Sequence, residues 1–193
     1  MISSVDEFVR FDVSVNDINF AKQIRIKRDK IYKNVYKEKE TDSRWIGDLG
    51  ELKVNQALML CNLEETDWLY ETKVAGKCDL IFFGKSIDVK TVKRKVPMKL
   101  SYTAQITAKH AKSDVEYLVF ACYETETKQV VVLGAMKKEE FLKESTYHGA
   151  GHKVHSNYTI RDGHEIYNIE VSKLMPFRDF IMDIRNEKKL EIA

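Results

Sequence analysis

The chain predicts a single α/β domain, and three observations carry that prediction. Its 193 residues fit one domain of ordinary size, with 44% hydrophobic and 32% charged residues, enough apolar chain to bury a core. Between residues 44 and 123 a helical stripe, three strand-like segments, a second helical stretch and a strongly apolar strand follow one another. No internal repeat, low-complexity segment or linker divides the sequence.

Residues 1–15 alternate enough for a short strand. From Asp17 to Tyr36 the apolar positions Phe20, Ile24, Ile31 and Val35 suit an amphipathic helix, capped by Asn16 or Asp17. Residues 1–40 thus form an N-terminal helical arm that could pack on the core, reach over a ligand or mediate a homodimer. Lys22, Arg25, Lys27, Arg28, Lys30, Lys33, Lys37 and Lys39 crowd it; a solvated face and a phosphate-binding surface account for them equally well.

Residues 44–61 carry Gly47, Gly50, Glu51, Val54, Ala57, Leu58 and Cys61 at helical spacing. Each glycine costs about 1 kcal/mol in a helix interior, so both predict close approach to another backbone. Glu51 then lies on a buried face. Residues 68–74 read as a strand, residues 79–93 as a hairpin whose second strand ends before Pro97, and residues 103–112 as a helix. Residues 116–123 and 129–135 are strands, and a short helix runs to Lys143.

His148, His152 and His155 follow among glycines, with His164 beyond; their spacing matches no familiar zinc motif, and a phosphate-touching loop is the stronger reading. Asp162-Gly163 marks a C-terminal hairpin between residues 157–161 and 165–171. Pro176 introduces a final helix over residues 177–188. These parts divide into the arm, a core over residues 41–135 and a C-terminal extension over residues 136–193 packed on it.

The hairpin carries the chemistry. With Gly84-Lys85 as its two-residue turn, Asp79 lies opposite Lys90 and Ile81 opposite Asp88. Alternation places Asp79, Ile81, Phe83, Ser86, Asp88 and Lys90 on one face, and Leu80, Phe82, Ile87 and Val89 on the other. The second face is core. The first gathers two carboxylates and an ammonium within about 5 to 8 Å. An ordinary cross-strand ion pair would account for Asp79 and Lys90 alone, but Ile81 and Phe83 on that face predict a covering element, for which the Glu51 helix is the candidate.

Two aspartates on adjacent strands suit a hard divalent cation such as Mg2+, with Mn2+ as a substitute, which keeps waters for a phosphate's oxygens. A nearby lysine can orient an attacking water, or take its proton if its own pKa is depressed. Phosphodiester hydrolysis is the reaction this set suits, with Glu51 as a further metal ligand.

Gly47-x-x-Gly50-Glu51 on a helix, then Asp79, then Asp88-Val89-Lys90-Thr91, resembles the PD-(D/E)XK nuclease superfamily over roughly residues 47–123. Cys78 stands where the name-giving proline would be, a position without a chemical role. The resemblance implies a restriction-endonuclease-like αβββαβ core, with a mixed central sheet flanked by helices, and Mg2+-dependent cleavage of nucleic acid. It implies Glu51 as the helix acid, Asp79 and Asp88 as metal ligands and Lys90 as the catalytic lysine. DNA is the expected substrate ahead of RNA, and an endonuclease the expected activity. A junction-resolvase-like enzyme and a non-catalytic nucleic-acid-binding module are the alternatives.

Lys85, Lys93, Arg94, Lys95 and Lys99 crowd the same hairpin, and clustered cations release phosphate counterions on binding. Lys93, Arg94 and Gln105 form the candidate substrate-binding set, although a helix-surface amide is the stronger reading of Gln105. Gln105 opens the helix on which some relatives place a glutamine near the phosphate, although Lys109 stands where an exonuclease-type Gln-x-x-x-Tyr pattern requires tyrosine. Cys61, Cys78 and Cys122 lie in apolar contexts without paired spacing, which predicts free structural thiols in a reducing cytoplasm. No apolar run reaches the length of a membrane span.

Overall fold

A computed structural model describes residues 1–31, 43–62, 64, 66–70, 78–155 and 158–192. Its frame is a mixed six-stranded sheet in the order β1-β7-β6-β4-β3-β2: β1 (Val9–Asp12), β2 (Thr66–Trp68), β3 (Leu80–Phe82), β4 (Lys85–Arg94), β6 (Tyr117–Glu124) and β7 (Gln129–Lys137). Only β4 and β6 run parallel. The crossover between them carries β5 (Thr103–Thr107). The α/β class is observed, with four α-helices among the described residues: α1 (Val15–Ile31), α2 (Trp45–Cys61), α3 (Lys138–Glu144) and α4 (Phe177–Ile192).

Every residue of β6 is buried because the strand is central and covered on both faces. Tyr117 and Val119 pack with Val54 and Leu58 of α2 and Phe177, Phe180 and Ile184 of α4. Leu118, Phe120 and Cys122 point the other way, into a core closed by α3 and by a second sheet. That sheet has three strands in the order β5-β11-β8, with β8 at Thr146–His148 and β11 at Ile166–Glu170. Two short strands, β9 (Lys153–His155) and β10 (Tyr158–Thr159), pair separately.

Several expectations need correcting. Residues 103–112 are not a helix: β5 comes first and a single 3-10 turn, His110–Lys112, follows. Ala104 and Ile106 are buried while Gln105 between them is exposed, the period of two that a strand on a core requires. The Asp162-Gly163 turn exists, with Gly163 at φ 75°, but it does not close a hairpin. β11 pairs with β5 and β8, and β10 with β9, because the apolar face of β11 belongs to the second core.

The strand expected over residues 68–74 lies at Thr66–Trp68; residues 71–77 fall outside those described. The helix expected over residues 17–36 begins at Val15, and its expected end falls outside them too. Its cap is Ser14 rather than Asn16 or Asp17. Ser14 Oγ accepts the Asp17 N–H at 3.1 Å and Asp17 Oδ2 accepts the Ser14 N–H at 2.8 Å, a reciprocal box that satisfies two orphan donors. Cys122 is buried and Cys78 half-buried, but Cys61 ends α2 exposed. Among the described residues no helix is long and apolar enough to cross a membrane.

Candidate functional site

The β3-β4 hairpin turns on Phe83-Gly84, not Gly84-Lys85. Phe83 and Gly84 both have positive φ, 50° and 79°, the pattern of a type I′ turn, which needs left-handed backbone at both central residues. The ladder pairs Leu80 with Ile87, Ile81 with Ser86 and Phe82 with Lys85. Relative to the expected register this is a slip of two residues, and an even slip leaves every side chain on its expected face. It changes the partners, however. The ladder ends at Leu80; the Asp79 N–H donates to the Ile87 carbonyl at 2.9 Å, and the Asp79 carboxyl meets that of Asp88.

The two carboxyls hydrogen-bond each other, and Asp79 Oδ2 also accepts the Val89 N–H at 2.8 Å. Lys90 Nζ donates to Asp88 Oδ1 at 2.7 Å. Burial, then the Glu51 and Asp88 charges, push Asp79 well above the ordinary carboxylate range. Burial acts on Asp88 in the same direction, but the Lys90 ammonium and the Asp79 hydrogen bond outweigh it and hold Asp88 low. For Lys90, burial is outweighed by Asp88 and Asp79, so the ammonium stays charged more firmly than usual. A lysine in that state donates hydrogen bonds; it does not accept a proton near neutral pH.

The Glu51 helix does not cover this charged face. α2 packs on the opposite, apolar side of the hairpin, where Val54, Ala57 and Leu58 meet Leu80, Phe82, Ile87 and Val89. The expected close approach holds at Gly50, where a Cβ would run into the Thr91 side chain, and not at Gly47, which faces open space. Glu51, 5% exposed, lies close enough to raise Asp79 and to support the Lys90 charge.

Its carboxylate is engaged from another direction. Arg28 of α1 forks onto Glu51, Nη1 to Oε1 at 2.8 Å and Nη2 to Oε2 at 2.7 Å, and Trp68 Nε1 donates to Oε2 at 3.2 Å. Arg28 Nη1 also reaches Asp48 Oδ1 at 2.7 Å, while Arg25 Nε donates to Asp48 Oδ2 at 2.8 Å. Burial and the Glu51 charge push Asp48 up to about 6 against the pull of both arginines. Two cations of the supposed solvated helix face therefore turn inward. The sequence carried a signal for this: Ala21 and Ile24 are buried, and Arg25 and Arg28 continue their stripe at i+4 and i+7.

His110 is a second residue that sequence reasoning missed. The 3-10 turn brings it within electrostatic reach of Lys90 and Asp88, its Nδ1 lies 3.0 Å from Thr107 Oγ1, and burial followed by the Lys90 charge lowers its pKa. No periodicity in residues 103–112 marks it.

The expected substrate-binding residues divide. Arg94 shares the face of Asp88 and Lys90 and is half-buried, whereas Lys93 points to the opposite face and is exposed. Gln105 is on β5, opposite Asn168 of β11. The histidine segment is partly strand; the His148 and His152 rings are in contact, tilted by 48° with centroids 4.5 Å apart.

Among the described residues no group of three or more His, Cys, Asp or Glu is arranged to hold a metal by itself. Asp79 and Asp88 offer a smaller donor set, two hard oxygen ligands facing each other across a hairpin. Mg2+ commonly uses one or two carboxylates and completes its octahedron with waters and substrate phosphate. Burial and carboxylate repulsion raise Asp79, and a divalent cation would act against both. In comparisons with known proteins, no family model and no curated protein matches this chain.

Proposed function

We propose that the protein is a Mg2+-dependent nuclease with a restriction-endonuclease-like core, hydrolysing phosphodiester bonds of DNA, most simply as an endonuclease. The observation that carries this reading is the contact between the Asp79 and Asp88 carboxyls, with the Lys90 ammonium on Asp88. The order Glu51, Asp79, Asp88, Lys90 along helix, strand and strand also supports it, as does the parallel β4-β6 pair beside the hairpin.

Asp79 and Asp88 would hold Mg2+, or Mn2+ in its place, whose contribution is to polarise a phosphoryl oxygen and to acidify a bound water. Lys90, fixed by Asp88 and firmly charged, orients the attacking water and stabilises negative charge on the phosphoryl group. Its raised pKa supports the positioning role over that of proton acceptor. Asp79 would bind the metal as the carboxylate, against the upward pull of its burial and of the Glu51 charge. Glu51 contributes from behind the Arg28 fork, through the field it imposes on Asp79.

That fork favours a second reading, a nucleic-acid-binding module without catalysis, in which Glu51 serves only to pin α1 to α2. One experiment separates the two. Supercoiled plasmid, linear duplex, single-stranded DNA and RNA are incubated with wild type, Asp88→Ala and Lys90→Ala, in Mg2+, Mn2+ or EDTA. Metal-dependent cutting by the wild type alone is the expected result. Salt-sensitive binding without cutting under any condition selects the module, and neither binding nor cutting refutes both.

A further inference from the structure

Four residues beyond Lys90 on the same face of β4, Arg94 stacks its guanidinium on the Tyr102 ring at 4.6 Å. Lys99 Nζ sits 6.0 Å from the centre of that ring. Arg94 Nε is buried with no hydrogen-bond partner among the described residues. The carboxylate facing Arg94 across the β4-β6 ladder is Glu124, and it is committed elsewhere. Its Oε2 takes Arg10 Nη1 at 3.2 Å and its Oε1 takes the Met98 N–H at 2.9 Å. Arg10 and Arg94 thus flank a single carboxylate, and Lys99 adds a further cation at the Tyr102 ring.

This arrangement differs from a solvated basic surface in two respects. The guanidinium is backed by an aromatic ring, its carbon 4.6 Å from the ring centre, so less rotamer freedom is lost when it binds. Its backbone is pinned as well, because the Arg94 carbonyl accepts the Thr125 N–H at 2.9 Å. A fixed guanidinium with surplus positive charge beside it fits an anion with paired oxygens, above all a phosphate.

The register of the strand places this cation relative to the site. Four residues at ~3.3 Å each set Arg94 about 13 Å from Lys90, on the same side of the sheet. We infer that Arg94, backed by Tyr102 and Lys99, binds a backbone phosphate of the nucleic-acid strand a few nucleotides from the bond lying at Asp79 and Asp88, so that the strand runs along β4. The inference rests on the nuclease reading and adds to it a direction and a contact. Lys93, one residue earlier, faces the opposite side and takes no part.

The test is the salt dependence of oligonucleotide binding, measured by fluorescence anisotropy on short duplex and single-stranded DNA, with Asp88→Ala as a non-cutting background. Adding Arg94→Ala is expected to weaken binding roughly tenfold, the loss of one charge-assisted contact. The slope of log affinity against log salt should fall by about 0.9 on duplex or about 0.7 on single strands, one phosphate fewer. Arg94→Lys keeps the charge and loses the planar stack, so affinity should fall with the slope unchanged. Lys93→Ala should change neither quantity.

Circular dichroism melts establish that each variant is folded, and Arg94→Lys carries the test if Arg94→Ala does not fold. A background that binds while Arg94→Ala leaves affinity and slope intact, or while Lys93→Ala matches its effect, overturns the phosphate contact alone. A wild type that neither cuts nor binds, with a background that does not bind, overturns the nuclease reading and the contact with it.

Discussion

Replacing Arg28 by alanine tests the buried charge network that ties α1 to the candidate site. The guanidinium makes three bonds of 2.7 to 2.8 Å to two carboxylates, Asp48 at 0% and Glu51 at 5% exposure. Without it, among the described residues, Asp48 keeps Arg25 but Glu51 keeps only the Trp68 indole N–H at 3.2 Å. Removing one partner of a buried pair strands the other charge and costs about 3 to 5 kcal/mol. With a urea m-value of roughly 2 kcal/mol/M, the midpoint should fall by about 1.5 to 2.5 M.

Equilibrium urea unfolding at pH 7, followed by tryptophan fluorescence and circular dichroism, measures the effect. Raising salt should leave most of the loss in place, since buried pairs are weakly screened. Arg28→Met combined with Glu51→Met should recover much of it, because the double variant buries no unpaired charge. A loss under about 1 kcal/mol, the range of exposed ion pairs, refutes the argument.

Gly50→Ala should destabilise by about 1 to 2 kcal/mol, because overpacking against Thr91 outweighs the gain of about 1 kcal/mol in helix propensity; a neutral or more stable variant contradicts the close approach. Thr91→Val, which removes a buried hydroxyl lacking a hydrogen-bond partner among the described residues, should raise the urea midpoint. Asp79 holds its proton more tightly folded than unfolded, so the stability it contributes is present below its unfolded pKa of about 3.9 and is lost as pH rises through the folded value. Asp79→Asn should therefore be more stable than wild type at neutral pH, with the difference vanishing near pH 3; melting curves across pH check the sign. Millimolar Mg2+ should raise the wild-type melting temperature, more so at higher pH, and leave Asp88→Ala unmoved, as expected for a ligand bound only by the folded state.

The order Glu51, Asp79, Asp88, Lys90 and the faces they occupy could be read without coordinates. Faces follow from alternation along one strand, and the two-residue slip of the hairpin preserved them. The buried runs of β6 and β7 were equally readable, since a central strand covered on both sides has no polar positions to disguise it. The turn was not, because Phe83 adopts a left-handed conformation that its residue type disfavours and that the pairing of Leu80 with Ile87 imposes.

The side on which α2 packs was also beyond local pattern. A helix apolar on several sides chooses its contact by what the hairpin offers, and Leu80, Phe82, Ile87 and Val89 offered more apolar surface than the charged face. Residues 103–107 carried a period of two that a helical reading passed over, and the second sheet settled the matter by supplying β11 as a partner. Arg28 and His110 come to the site from elements remote in sequence, and no one-dimensional spacing encodes which carboxylate a buried guanidinium will meet. Alternation and burial are local properties of a chain; register, facing and charge pairing are set by which elements compete for the same apolar surface.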